Sequence, residues 1–65
     1  MENRKITLTQ TSVGQITIFV SAIAAFSERD NGTDIYLHGL PQPIRVNESY
    51  AHVQKELRGS WSVGM

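Results

Sequence analysis

The order of residues predicts an α+β fold, a small antiparallel sheet of about five strands with one C-terminal helix packed on it. Three observations carry this. Apolar and polar residues alternate with a period of two over several short runs, the pattern of half-buried strands. Asp30-Asn31-Gly32 is a hairpin signal, because asparagine and glycine tolerate the backbone of tight turns. Asn47-Glu48-Ser49 then precedes Tyr50, Val53 and Leu57, which fall at i, i+3 and i+7 and make one apolar helical stripe.

Taken in order, residues Lys5 to Thr11 place Ile6 and Leu8 on one face and Thr7 and Thr9 on the other. Ser12-Val13-Gly14-Gln15 is the expected turn, and Ile16 to Val20 the returning strand. Ile16, Ile18 and Val20 share a face there, and Phe19 points to the opposite side. Ser21 and Ala22 are read as a brief turn. Ile23 to Arg29 is assigned to a strand despite its alanines, because the hairpin signal that follows needs a strand before it. Its partner is Thr33 to His38.

Gly39-Leu40-Pro41-Gln42-Pro43 cannot continue a ladder, since proline has no backbone donor, and Ile44 to Val46 resumes the alternation. Asn47 or Ser49 is suited to accept hydrogen bonds from the first free amides of the helix, and Glu48 to complement its dipole. Gly59 is the expected C-terminal stop. The ordered core is expected at about residues 5–58, with a mobile tail over 59–65 anchored only by Trp61.

The chain has 65 residues, which bounds it to a single domain, 1–65. A chain this short buries only roughly 60% of the surface that it exposes when unfolded. It has no cysteine to add a disulfide, and His38 and His52 are too few for a structural zinc, so self-association is the remaining remedy. Six Lys and Arg balance six Asp and Glu, which argues against non-specific nucleic-acid binding. The N-terminus lacks an apolar signal region, and the run from Ile18 to Phe26 is too short to span a bilayer, so a cytoplasmic protein without membrane contact is expected.

No pattern of catalytic chemistry stands out. His38, Ser49 and Glu48 are the residue types of a nucleophilic triad, but so small a set arises by chance in most small proteins. Asp30, Asn31 and Asp34 surround a turn without the spacing of a calcium loop. Gly32 and Gly39 belong to no phosphate-binding pattern. No metal and no cofactor are expected.

The order of features resembles that of the small FlbD/SwrD-like proteins of bacterial flagellar operons: strand, glycine turn, strand, isoleucine-centred strand, then a hairpin leading to a V-x-E-S-x-x-x-V helix entry. The matching positions are Ile6 and Leu8; Gly14, Ile16 and Ile18; Ile23 and Phe26; Ile35 and Leu37; and Val46, Glu48, Ser49 and Val53, over about residues 5–57. Leu40-Pro41-Gln42-Pro43 stands where that family has a glycine-rich turn. Small domains of this kind are also common among phage and prophage proteins. The resemblance implies the same strand-rich fold closed by a helix.

The expected function is a non-enzymatic, homo-oligomeric binding module that acts through protein–protein interaction, as an accessory or inhibitor protein of a bacterium or phage. Its partners are expected to be further copies of itself and another protein. Two open sheet edges and apolar residues on both faces of the second strand motivate this, because one helix cannot cover two faces. Phe19, Tyr36 and Trp61 are the expected apolar contacts, with Arg29 and Arg45 as charge anchors. The alternative is a small nucleic-acid-binding regulator that stacks bases on Phe19 and Tyr36 and holds phosphate with the two arginines.

Overall fold

The computed structural model describes residues 4–61; residues 1–3 and 62–65, and the side chains of Ser60 and Trp61, lie outside the description. Five strands, β1 (Lys5–Gln10), β2 (Gly14–Phe19), β3 (Ile23–Arg29), β4 (Gly32–Leu37) and β5 (Ile44–Val46), precede one helix, α1 (Tyr50–Trp61). A 3₁₀ turn, Val20–Ala22, links β2 to β3. All pairings are antiparallel, and the strand order is β2-β1-β5-β4-β3.

That order forces the sheet to curl. Flat, it would hold its edge strands β2 and β3 about 19 Å apart, four spacings of about 4.8 Å. The link from Phe19 to Ile23 holds three residues, and even fully extended it spans at most about 14 Å. Both ends of the link are pinned: the Val20 amide donates to the Arg4 carbonyl at 2.9 Å, and the His38 amide donates to the Ala22 carbonyl at 2.9 Å. The curled sheet turns one face inward, and α1 packs on it, touching β1, β3 and β4.

The inner face carries the core. Ile6, Leu8, Ile18, Val20, Ile35 and Val46 are buried with Val53 and Leu57 of the helix, and Ile16, Ile23, Phe26, Leu37 and Ile44 pack around them. The alternation that defines each strand therefore also selects its core residues. Phe26 and Tyr50 bring their rings to 5.1 Å at a tilt of 33°, which fixes the start of the helix over β3. Ser49 caps the helix, its Oγ accepting from the His52 amide at 3.1 Å.

The seam between β1 and β5 is the narrowest in the sheet. Its register has one pair, Gln10 with Val46, flanked by Thr11 N–H to Arg45 O at 2.9 Å and Asn47 N–H to Thr9 O at 2.8 Å. Glu48 extends this seam past the end of β5. Its two carboxylate oxygens both accept from the Thr9 amide at 2.9 Å, standing in for the carbonyl that a longer strand would have supplied. The buried Thr33 hydroxyl donates to the Glu48 carbonyl at 2.8 Å and holds the residue in place. The residue expected to serve the helix dipole thus serves the sheet.

Partial burial works to raise the Glu48 pKa, but hydrogen bonds from Thr9 and from the residue's own amide, with the charge attraction of the neighbouring His52, outweigh it and hold the carboxyl below its ordinary value. The stabilisation that follows is present above the pKa of the unfolded chain and is lost as pH falls through the lower folded value. Glu48→Ala is expected to lower stability by about 1 kcal/mol at neutral pH. In urea titrations that deficit should shrink as the pH is lowered through the ordinary carboxylate range.

The structure corrects several sequence expectations. Gly59 does not end the helix, which continues to Trp61, and the rest of the expected tail, residues 62–65, lies outside the described residues. Glycine permits a stop without imposing one, and a helical turn already held by Leu57 in the core tolerates its cost of about 1 kcal/mol. Val20 leaves the ladder for the 3₁₀ turn, and β2 begins two residues earlier than expected, at Gly14. The Asp30-Asn31 turn is closed by Arg29 and Gly32, which places Gly32 inside β4.

Candidate functional site

The outer face of the curled sheet is mostly polar. On β1 and β2 it presents Lys5 opposite Phe19 and Thr7 opposite Thr17, whose hydroxyls lie 3.1 Å apart. Phe19 is 51% exposed, and the Lys5 ammonium sits 5.7 Å from its ring centroid in a cation–π contact. The second apolar face expected from the sequence is thus narrow. The large apolar residues exposed among those described are Val13, Phe19, Tyr36 and Leu40.

On the other half of the outer face, β3, β4 and β5 gather charges around Asp34. Its Oδ1 lies 3.0 Å from Arg29 Nε and 3.7 Å from Arg45 Nε. Arg29 also donates through Nη2 to the Thr11 hydroxyl at 3.1 Å and to the Val46 carbonyl at 3.4 Å. The Thr11 hydroxyl in turn donates to Asn47 Oδ1 at 2.8 Å. Arg29, with its side chain 23% exposed, is therefore a brace joining β3 to the seam of the sheet. Arg45, 67% exposed, keeps most of its guanidinium in solvent.

The residues expected to act together are thus divided. Tyr36 follows Asp34 by two positions on the same face of β4, so Tyr36, Arg29 and Arg45 share one patch. Phe19 lies on β2, separated from that patch by β1 and β5. The Trp61 side chain lies outside the described residues.

An apolar concavity lies elsewhere among the described residues. Val20, Ile23, Ala24, Ala25, Phe26 and Leu57 line an apolar groove of about 200 Å³ between the first half of β3 and α1. The ladder shifts register between Ile23 and Ala25, a bulge that makes room for it, and both alanines are exposed at its mouth. Sequence reasoning did not single these residues out. The available signal was the Ala24-Ala25 pair, two small side chains of low strand propensity in a strand otherwise able to carry larger ones.

The groove borders an open edge. A two-residue turn makes its flanking pair, Arg29 and Gly32, a hydrogen-bonded one, and the alternation continues through Ser27 with Asp34 and Ala25 with Tyr36. Phe26 and Glu28 therefore turn their backbone N–H and C=O groups away from β4, toward the free side of β3. An extended chain laid there would meet main-chain partners beside an apolar recess.

The triad considered from residue types does not assemble. Ser49 and Glu48 lie near Thr33, at the start of β4, whereas His38 follows its end, about 16 Å along the strand. Among the described residues no three His, Cys, Asp or Glu side chains gather as metal ligands, and no helix is long and apolar enough to cross a membrane. Compared with family models, curated proteins and solved structures, the chain finds no match.

Proposed function

We propose that this protein is a non-enzymatic, homo-oligomeric interaction module of the cytoplasm, and that it binds by adding a strand to the free edge of β3. One observation carries the reading: a seven-residue edge strand with unpaired backbone groups runs beside an apolar groove. Edge amides and carbonyls supply affinity that is blind to sequence, while the groove selects an apolar side chain. The exposed Tyr36 and Arg45 are secondary contacts on the strands beside this edge, and Phe19 is a separate apolar contact on β2.

Sedimentation at micromolar concentration is expected to show more than one copy per particle. Glu28→Pro deletes an outward-facing amide, which leaves the β3–β4 ladder intact, and should shift the particle toward the monomer. Phe19→Ala, at an exposed position, should weaken association without lowering the urea midpoint. A wild-type protein that stays monomeric across the range would refute the self-association. Oligonucleotide binding that falls steeply with salt and is lost in Arg45→Ala would instead support the nucleic-acid alternative.

A further inference from the structure

We infer that the strand received at the β3 edge is β2 of a second copy of this chain, and that its Phe19 fills the apolar groove. The inference rests on the reading of that edge as the docking place and names the strand that docks.

β2 is the other open edge of the sheet. The Val20 amide donates to the Arg4 carbonyl at 2.9 Å, which makes Arg4 and Val20 a hydrogen-bonded pair, and alternation along the ladder makes Ile6 and Ile18 the next. Thr17 and Phe19 therefore turn their backbone N–H and C=O groups away from β1, toward the free side of β2. Their side chains stand exposed on the outer face. On β3 the outward-turned residues are Phe26 and Glu28, and these stand on the inner side, where Phe26 lines the groove.

Residues directly opposite in an antiparallel ladder carry their side chains on the same side of the sheet. Pairing β2 of one copy antiparallel with β3 of another, Phe19 opposite Phe26 and Thr17 opposite Glu28, matches the outward groups of both edges. It also brings Phe19 to the groove side of β3, although the residue lies on the outer face of its own sheet. The groove, of about 200 Å³, suits a phenyl ring, since apolar cavities of about 150 Å³ accept benzene. Beyond Phe19 the incoming chain crosses Ala25 and Ala24, exposed residues whose small side chains leave it room.

Charge supports the same register. Lys5 lies opposite Phe19, and its ammonium sits 5.7 Å from the centroid of that ring. In the paired sheet Lys5 is two strand spacings and two residues from Glu28 of the accepting copy, about 12 Å between Cα atoms, a gap that the two extended side chains close. Both residues are exposed and have no ion pair among the described residues. A net charge of zero adds no long-range repulsion between copies. Because the two edges differ, the contact is head-to-tail: each copy gives β2 to one neighbour and receives the β2 of another at β3.

Sedimentation of two edge variants and of their mixture tests this. Thr17→Pro removes an outward amide of β2, as Glu28→Pro does for β3, and each alone is expected to be monomeric at a concentration where the wild type associates. An equimolar mixture should form particles of two copies and none larger, since Glu28→Pro still offers β2 and Thr17→Pro still receives at β3. As a check that leaves the backbone untouched, Lys5→Glu and Glu28→Lys should each weaken association by a few-fold, and the double variant should regain part of that loss. A folded Thr17→Pro that associates like the wild type, a mixture of folded variants that stays monomeric, or a double variant no tighter than either single one would each overturn the inference. If Glu28→Pro dissociates the particle and folded Thr17→Pro does not, only the choice of β2 fails and the β3 edge stands as the docking place. A wild-type chain that stays monomeric sinks the self-association itself, and this inference with it.

Discussion

Gly32→Ala is expected to lower stability by about 3 kcal/mol, near the upper end for a single replacement. Gly32 opens β4 with φ +153°, a conformation that side-chain-bearing residues rarely adopt. The larger cost is steric. A Cβ at this position would collide with the backbone carbonyl oxygen of Val46 and approach Arg29 Nη2 to 3.2 Å. The first contact is with main chain and cannot be relieved by a rotamer change. Relief requires β5 to move from β4, and Val46 is also the residue of β5 that registers with β1. The damage therefore reaches the seam that joins the two halves of the sheet. A domain of this size draws only about 3–5 kcal/mol from its core, so most of its margin would be lost. Urea denaturation checks this, and a midpoint near wild type would show that β4 and β5 are not in close contact at Gly32.

Leu8→Ala is expected to cost about 2–5 kcal/mol, the range for deleting a buried leucine side chain. Leu8 is 1% exposed, lies opposite Ile16 on β1, and belongs to the buried set formed by strands and helix together. The curl leaves little room for collapse, since the inner face is already enclosed by five strands and α1. Thr7→Ala, one residue away on the outer face, should change stability by less than about 0.5 kcal/mol, because it removes only an exposed hydroxyl pair. Urea midpoints of the two variants measure the contrast directly. Similar losses for both would mean that β1 is not inserted edge to core as the register implies.

Much of this architecture was legible before any coordinates. Ile23–Arg29 and Ile44–Val46 have the bounds that alternation and turn chemistry assign them, and Ser49 caps the helix as its side-chain chemistry requires. Less legible were the roles of polar residues. Glu48 looks from the sequence like a residue for the helix dipole, yet its carboxylate completes the β1–β5 seam, because only the fold brings Thr9 within 2.9 Å. Arg29 looks like a surface anchor, yet it braces Asp34 and Val46.

Strand identity, core-facing positions and the helix start follow from the residues alone, because each depends on periodicity or capping within a few neighbours. The strand order, the curl imposed by a three-residue link and the groove walled by Ala24, Ala25 and Leu57 depend on groups far apart in the chain. Only packing could bring those together, since local rules fix which way a side chain points without fixing which distant strand it meets.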